Sequence, residues 1–367
     1  MSAAIMGSRQ QRRPTRTRLG LAATGLVVAV VAVLIPAVAR GFLPAWILLV
    51  STGVGAAVLR HIHALTGGRW GEATAPTLRA LAATVPLAAL GGAVLLLTLP
   101  ALYPWARNGA TVPSDVAALY LAPLGFGIRA VLVLLLWSGV ALVAARGARP
   151  NRAVAAGSLV IHALCVNVAA VDWIMSIEPH WNSSALGALL AITQIALALA
   201  ILAAVDAACD VGGGRRGDVA KLLLAAVLGV AYLLFMQFLV QWSGNLPEKV
   251  AHYLTRRAPM WTGCLMAATT FGFVLPVAIL SRTALRAERG PVRLAGFSAL
   301  AGLALLVLWQ VLPPFRDAVA NGIGIGLAVA AAGAASFVGA GAQARLRAED
   351  APPGDASRRT HGEATLG

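Results

Sequence analysis

Long apolar runs separated by short polar segments are the main pattern along this chain. We count ten runs of about 20 apolar residues. They lie at approximately 20–39, 43–60, 76–100, 123–145, 153–172, 185–205, 219–242, 260–281, 293–312 and 320–342. A helical run of that length matches the roughly 30 Å hydrocarbon thickness of a bilayer. The pattern predicts an all-α, polytopic membrane protein of about ten transmembrane helices.

The runs divide the chain into three parts. We expect a basic tail at 1–19, a ten-helix membrane domain at 20–343 and a disordered tail at 344–367. The second tail is polar, with Pro and Gly and few apolar residues, which is typical of disorder. The arginine-rich start, the apolar run and Ala37–Ala39 also resemble a cleavable signal peptide, and cleavage there would leave the remaining topology unchanged.

Charge is scarce and unevenly placed. Only 12% of residues are charged, about half the fraction of a soluble domain, while the net charge is +15. When Lys and Arg are counted by alternating loops, 22 of the 29 fall on the side of the N-terminus and six on the opposite side. This positive-inside bias predicts that both termini are cytoplasmic, and it argues against a nucleic-acid partner.

Two neighbouring runs carry polar residues at membrane depth. His162 lies near the predicted midplane, and Asn167 and Asp172 follow it towards the outer surface. Arg129 lies about 9 Å inside the outer boundary of the preceding run. A buried arginine needs a partner, so we expect Arg129 to pair with Asp172, or with Glu178 as the alternative.

The segment "VDWIMSIEPHWNSS" (171–184) concentrates polar chemistry on the outer side. Tryptophans and a helix cap would suffice for an interfacial loop. They do not account for Asp172, Glu178 and His180 together. Carboxylate and imidazole groups can hydrogen-bond a quinol hydroxyl or relay a proton, so these three residues are candidates for such a site.

Gln237 and Gln241 are four residues apart and share a helix face. Two interpretations stay open for this pair. The amides can hydrogen-bond a neighbouring helix, or they can line a path for a head group or a water chain that continues from His162.

The cytoplasmic side has its own candidates. His61 and His63 are either solvated interface residues or a proton entry, and a separation of two residues does not place them on one helix face, which argues against a metal site. Asp218 and Lys221 begin the seventh run, where Asp218 can cap the helix. The three cysteines form no CxxC pair, which argues against a metal, an iron–sulfur cluster or a covalent haem in this chain.

Several motifs together resemble a known family. "DWIMSIEPHW" (172–181) is similar to the "EPHW" stretch of the NrfD/polysulfide-reductase membrane subunits, and most of all to the smaller NrfD-like subunit of alternative complex III. Other stretches of the chain resemble the family in the same order along the sequence. The further stretches are "LTGGRW" (65–70), "LYPWA" (102–106), "FGIRAVLVLLLW" (126–137) and "DVAKLLLAAVLGVAYLLFMQFLVQWSGNLPEK" (218–249).

The resemblance implies a fold, a location and partners. Such subunits have about ten helices, with the middle eight as two four-helix bundles, in the bacterial inner membrane. They belong to complexes that oxidise quinol and pass electrons to iron–sulfur and multihaem cytochrome c subunits, beside a second NrfD-like subunit. The smaller subunit is associated with assembly and proton transfer, so this chain is not expected to be catalytic alone.

This sequence also departs from the family pattern. Ser243 stands where a tyrosine is usual, and "ALGALLAITQ" (185–194) replaces an aromatic-rich run. Fewer rings weaken the case for a quinone pocket. Two other functions therefore stay open. The chain is either a structural membrane anchor that docks periplasmic redox subunits or, with less support, a secondary transporter with Pro86 and Pro276 as helix breaks.

Overall fold

The computed structural model describes residues 13–107, 120–207, 214–245 and 247–349. Within these ranges the chain is helical and contains no strand. The prediction of an all-α fold is confirmed. Because residues 1–12 and 350–367 lie outside the described ranges, most of the two predicted tails is not described.

The α-helices are numbered in chain order. They are α1 (Arg13–Leu34), α2 (Pro36–Thr66), α3 (Arg69–Ala82), α4 (Val85–Leu90), α5 (Gly92–Leu97), α6 (Leu99–Leu102), α7 (Pro123–Ala145), α8 (Arg152–Ala169), α9 (Leu186–Ala204), α10 (Gly214–Gly244), α11 (Pro247–Thr255), α12 (Pro259–Thr269), α13 (Leu275–Leu280), α14 (Thr283–Ala287), α15 (Arg289–Val311) and α16 (Ala318–Glu349). Widened π-helical turns lie at Ala170–Ile174 and Thr270–Val274, and 3₁₀ turns at Pro104–Ala106, Met175–Ile177 and Pro313–Phe315.

Nine helical passages in the described residues are long and apolar enough to cross a membrane. They are Pro36–Thr66, Arg69–Leu97, Pro123–Ala145, Arg152–Ile177, Leu186–Ala204, Gly214–Gly244, Pro259–Leu280, Arg289–Phe315 and Ala318–Arg345. The remaining predicted run falls on α1, where the described apolar part, Thr24–Leu34, is shorter. The fold is that of a polytopic helical membrane protein.

The middle eight passages pack as two sets of four, as the family resemblance implies. The first set comprises α2, the broken passage α3–α5, α7 and α8, and the second comprises α9, α10, α12–α13 and α15. Helices α2 and α9 join the two sets, and α16 packs along α2. Helices α2, α9 and α15 are therefore largely buried, whereas the outer helices expose leucines and phenylalanines such as Leu135 and Phe235. Outward apolar surface of this kind suits contact with lipid.

Small residues allow the helices to approach closely. A Cβ atom at Gly55 in α2 would overlap the backbone of Gln194 in α9. Likewise, Gly302 in α15 lies directly against Gly272 in the widened turn before α13. In lipid, where apolar surface gives little drive for association, such close backbone packing holds helices together.

The two ends of the bundle differ in character. We call the end that carries Pro104–Ala106, the segment 171–184 and α11 the motif face. The opposite end, which carries His61, Arg216 and Arg289, is called the arginine face.

The last helix runs to Glu349, so the first residues of the predicted C-terminal tail are helical.

Candidate functional site

The passage through α8 changes its winding as it reaches the motif face. After Ala169 the helix widens into a π-helical turn at Ala170–Ile174 and then tightens at Met175–Ile177 before it ends. The Ser176 hydroxyl donates to the Asp172 carbonyl at 2.5 Å, within this irregular stretch. Single π turns often occur at functional sites because they redirect side chains. Here the turn points Asp172 and Trp173 into the bundle, where both are buried.

Arg129 and Asp172 form a two-pronged ion pair between α7 and this turn. The guanidinium Nε donates to one carboxylate oxygen at 2.8 Å, and an Nη donates to the other at 3.1 Å. A further bond runs from Arg129 to the Tyr120 carbonyl at 3.1 Å, with the cation 3.9 Å above the Tyr120 ring. The expected pairing of Arg129 with Asp172 is confirmed. The charges of Arg129 and Asp172 neutralise each other within the protein, which suits an ion pair that holds two neighbouring helices together.

Glu178 belongs to a different cluster. Its carboxylate accepts from the His252 Nδ1 at 2.9 Å and from two nitrogens of Arg256 at 2.9 and 3.3 Å. Arg256 also donates to the carbonyls of His252, Trp309 and Gln310, which fixes its guanidinium in place. The cluster joins the segment after the 3₁₀ turn Met175–Ile177, the C-terminal end of α11 and the end of α15. His252 and Arg256 lie 74 and 78 residues from Glu178 in the sequence.

Burial and charge set the protonation of this cluster. Burial would raise the pKa of Glu178, but the hydrogen bond from His252 and the nearby Arg256 together hold it below its usual value. Burial lowers the pKa of His252 to about 4, against the opposing effect of Glu178. At neutral pH the imidazole is thus uncharged and donates through Nδ1 to an ionised carboxylate. Its Nε2 is then a buried acceptor with no hydrogen-bond partner among the described residues.

An aromatic side chain covers the imidazole. The Trp181 ring stacks on His252 with centroids 3.9 Å apart and planes 8° from parallel. The Trp181 indole N–H donates to the Gln241 side chain at 2.9 Å. The ring is therefore fixed by the stacking contact on its face and by a hydrogen bond at its edge. Stacked rings at this spacing contribute roughly 0.5–1.5 kcal/mol beyond the area they bury.

Polar bonds hold the whole segment 171–184 against α10 and α11. Ser183 donates to Gln237 at 3.1 Å, and Gln241 donates to the Asn182 carbonyl at 3.1 Å. Lys249 reaches the His180 carbonyl at 3.4 Å. These bonds support the first interpretation of the glutamine pair, in which the amides tie neighbouring elements together.

The expected grouping of Asp172, Glu178 and His180 is not present. Asp172 pairs with Arg129 and Glu178 with His252 and Arg256, so the two carboxylates use separate partners. The His180 side chain is exposed and makes no hydrogen bond to either carboxylate in the described part of the chain. The physical reason is that Asp172 and Glu178 are six positions apart, which does not place them on one helix face, and that the passage ends at Ile177 before Glu178.

Hydrogen bonds do not join the polar residues that follow His162 towards Asp172 within the described residues. His162 is buried, and neither ring nitrogen has a hydrogen-bond partner among the described residues. Its nearest ring is Trp137, with centroids 6.0 Å apart. Asn167 donates back to the Ala163 carbonyl of its own helix. These contacts trace no continuous hydrogen-bonded path from His162 to the motif face.

The candidates on the arginine face are partly corrected. The expectation that His61 and His63 are solvated is wrong, because both side chains are buried. The Nε2 atom of His61 lies 3.1 Å from the Val140 carbonyl, and that of His63 lies 2.9 Å from the Gly68 carbonyl. Asp218 pairs with Lys221 at 3.2 Å on an exposed helix surface. Since α10 already begins at Gly214, Asp218 lies inside the helix and is not its cap.

One ion cluster on the arginine face was not predicted from the sequence. Asp206, in the left-handed region with φ 53°, accepts from Arg216 at 2.8 Å and from Arg289 at 3.1 Å. The three residues come from three different passages, so spacing could not group them. His252 and Arg256 were not among the predicted site residues either, although a separation of four residues is the spacing of neighbours on a helix. No group of three or more His, Cys, Asp or Glu side chains comes together as a metal site within the described residues.

The fold and these sites define the class of the chain as a polytopic helical membrane protein whose motif face is held together by ion pairs and hydrogen bonds. No family model matches the sequence, and the comparison with curated proteins found no match. The resemblance to the NrfD-type subunits therefore rests on the motifs quoted above.

Proposed function

We propose that the protein is a membrane subunit, without a redox group of its own, of a quinol-oxidising complex that resembles alternative complex III. Its partners would be iron–sulfur and multihaem cytochrome c subunits and a second NrfD-like subunit. It would lie in the bacterial inner membrane with both termini in the cytoplasm and the motif face towards the periplasm. The motifs at 172–181 and 218–249 and the arrangement of two four-helix bundles support this proposal.

Within that complex, the Glu178–His252–Arg256 cluster takes part in proton release. The observation that carries this role is the neutral imidazole whose Nδ1 is tied to a carboxylate while Nε2 has no partner. When quinol is oxidised, its two electrons pass to the redox groups of partner subunits and its hydroxyl protons need a base. An imidazole oriented by a carboxylate is such a base, because the carboxylate stabilises the imidazolium that forms. The hydrogen bond from His252 and the charge of Arg256 together hold the pKa of Glu178 below its usual value, which keeps the carboxylate ionised.

The test uses the assembled complex. His252→Ala and Glu178→Gln should each lower quinol turnover and shift its pH profile, while the complex still co-purifies with all its subunits. His180→Ala is the matched control, since its ring is exposed and outside the cluster. Wild-type turnover and an unchanged pH profile in both cluster variants would refute the proton role.

A structural anchor is the second candidate, and the saturated bonds of the segment 171–184 favour it. That segment is fixed by Gln237, Gln241 and Lys249 and exposes His180, while Trp242 near the end of α10 is exposed as well. A rigid polar surface with an exposed ring suits docking of a partner subunit. Under this function, His180→Ala combined with Trp242→Ala would release the partners, whereas His252→Ala would leave both assembly and turnover intact.

A further inference from the structure

An open groove lies at the arginine face, far from the motif face. It has a volume of about 580 Å³ and runs between α15 and α16 beside the end of α9. Its lining includes Arg289, Arg293, Phe297, Ser336, Phe337 and Ala340. The proposed function uses none of these residues.

The end of the groove nearest the surface is positively charged. Arg293 donates through Nε to the Ala204 carbonyl at 3.0 Å, which holds the side chain along the groove wall. Its two Nη groups have no hydrogen-bond partner in the described part of the chain. Arg289 shares Asp206 with Arg216 and remains about half exposed. Arg216 and Arg289 thus share one carboxylate and Arg293 has no ion pair in the described part of the chain, so the groove keeps an excess of positive charge.

Deeper in the groove the lining becomes apolar. Phe297 follows Arg293 by one helical turn, or about 6 Å along α15. Its ring is exposed and lies 5.9 Å from the Arg293 guanidinium. On the opposite wall, the exposed ring of Phe337 and the exposed Ala340 face the same space. The positive charge at the helix ends suits the phosphate of a phospholipid, and the rings one turn deeper suit its acyl chain.

We infer that this groove binds one anionic phospholipid. The phosphate accepts hydrogen bonds from Arg293 and Arg289, and an acyl chain packs against Phe297 and Phe337. Basic pockets between membrane helices recognise anionic head groups in this way. A zwitterionic lipid carries its own cation, which the excess positive charge would repel, so the groove distinguishes between the two lipid classes.

The test measures lipid retention by native mass spectrometry of the full chain in detergent. The delipidated protein is titrated with phosphatidylglycerol or with phosphatidylcholine of the same acyl chains. We expect one phosphatidylglycerol to bind at least about fivefold more tightly than phosphatidylcholine, the preference that one arginine near the surface supplies. Arg293→Gln should remove that preference. Arg286→Gln is the control, because Arg286 lies on the same face but outside the groove lining.

A second variant keeps both arginines and fills the groove. Ala340→Trp should abolish binding of both lipids, and the exposed position of Ala340 lets the fold accommodate the ring. The inference is overturned if Ala340→Trp binds phosphatidylglycerol like the wild type, or if the wild type does not distinguish the two lipids. Retention of a second copy of the chain in place of lipid would also overturn it. So would inorganic phosphate raising the unfolding temperature as much as phosphatidylglycerol at equal concentration.

Discussion

The Arg129–Asp172 ion pair ties two neighbouring helices, and its loss should be costly. The Asp172 side chain is 1% exposed and that of Arg129 is 22% exposed. Asp172→Ala would remove two of the three hydrogen bonds that Arg129 makes, and would leave its charge with the Tyr120 carbonyl and ring. Breaking a buried pair by removing one partner costs about 3–5 kcal/mol. Since Arg129 keeps some exposure, we expect about 3 kcal/mol, at the lower end of that range.

The assay is the free energy of unfolding in mixed micelles, followed by tryptophan fluorescence, because Trp173 lies next to the pair. The variant Asp218→Ala is the control, since its pair with Lys221 is exposed and should contribute less than about 1 kcal/mol. Combining Asp172→Ala with Arg129→Leu should restore part of the lost stability, because no unpaired charge then remains buried. If Asp172→Ala costs no more than Asp218→Ala, the ion pair does not stabilise the fold as argued.

Two further predictions concern stability. The unfolded His252 ring binds a proton near pH 6.5 and the folded ring near pH 4, so the unfolded state holds more protons between these values. The free energy of unfolding should therefore fall as pH falls from about 6.5 to about 4, and His252→Gln should remove that part of the slope; an identical slope in the variant would contradict the assignment. Gly55→Ala should prevent stable insertion or lower the unfolding temperature strongly, because its new Cβ would overlap the Gln194 backbone, whereas Gly139→Ala meets no atom within 4 Å and should be neutral or slightly stabilising. Equal folded yields for the two glycine variants would contradict the close-packing account.

Hydrophobic length alone predicted most of the fold. Bilayer thickness fixes how many apolar residues a helix needs, so the runs could be counted without knowledge of their neighbours. The pairing of Arg129 with Asp172 could also be predicted, because the two passages are consecutive and a buried guanidinium requires a partner. The first run was harder to place, since α1 is followed directly by the long helix α2 at Pro36.

The Glu178 cluster could not be predicted in the same way. Its partners are His252 in α11 and Arg256 directly after that helix, 74 and 78 residues further along the chain and between two predicted apolar runs. Asp172 and Glu178 are six residues apart, a spacing that does not share a helix face, and the helical passage ends at Ile177 between them. The groove beside Arg293 likewise requires α9, α15 and α16 to meet.

The sequence by itself determined that this chain crosses a membrane many times and where its scarce polar residues stand along each passage. That information is local, because each run must satisfy the bilayer by its own length and composition. Only the tertiary structure decided which polar groups meet: Asp172 with Arg129, Glu178 with His252, and Asp206 with Arg216 and Arg289. Those choices depend on the packing of helices that are distant in the chain, and the burial that changes the pKa of His252 exists only once they have packed.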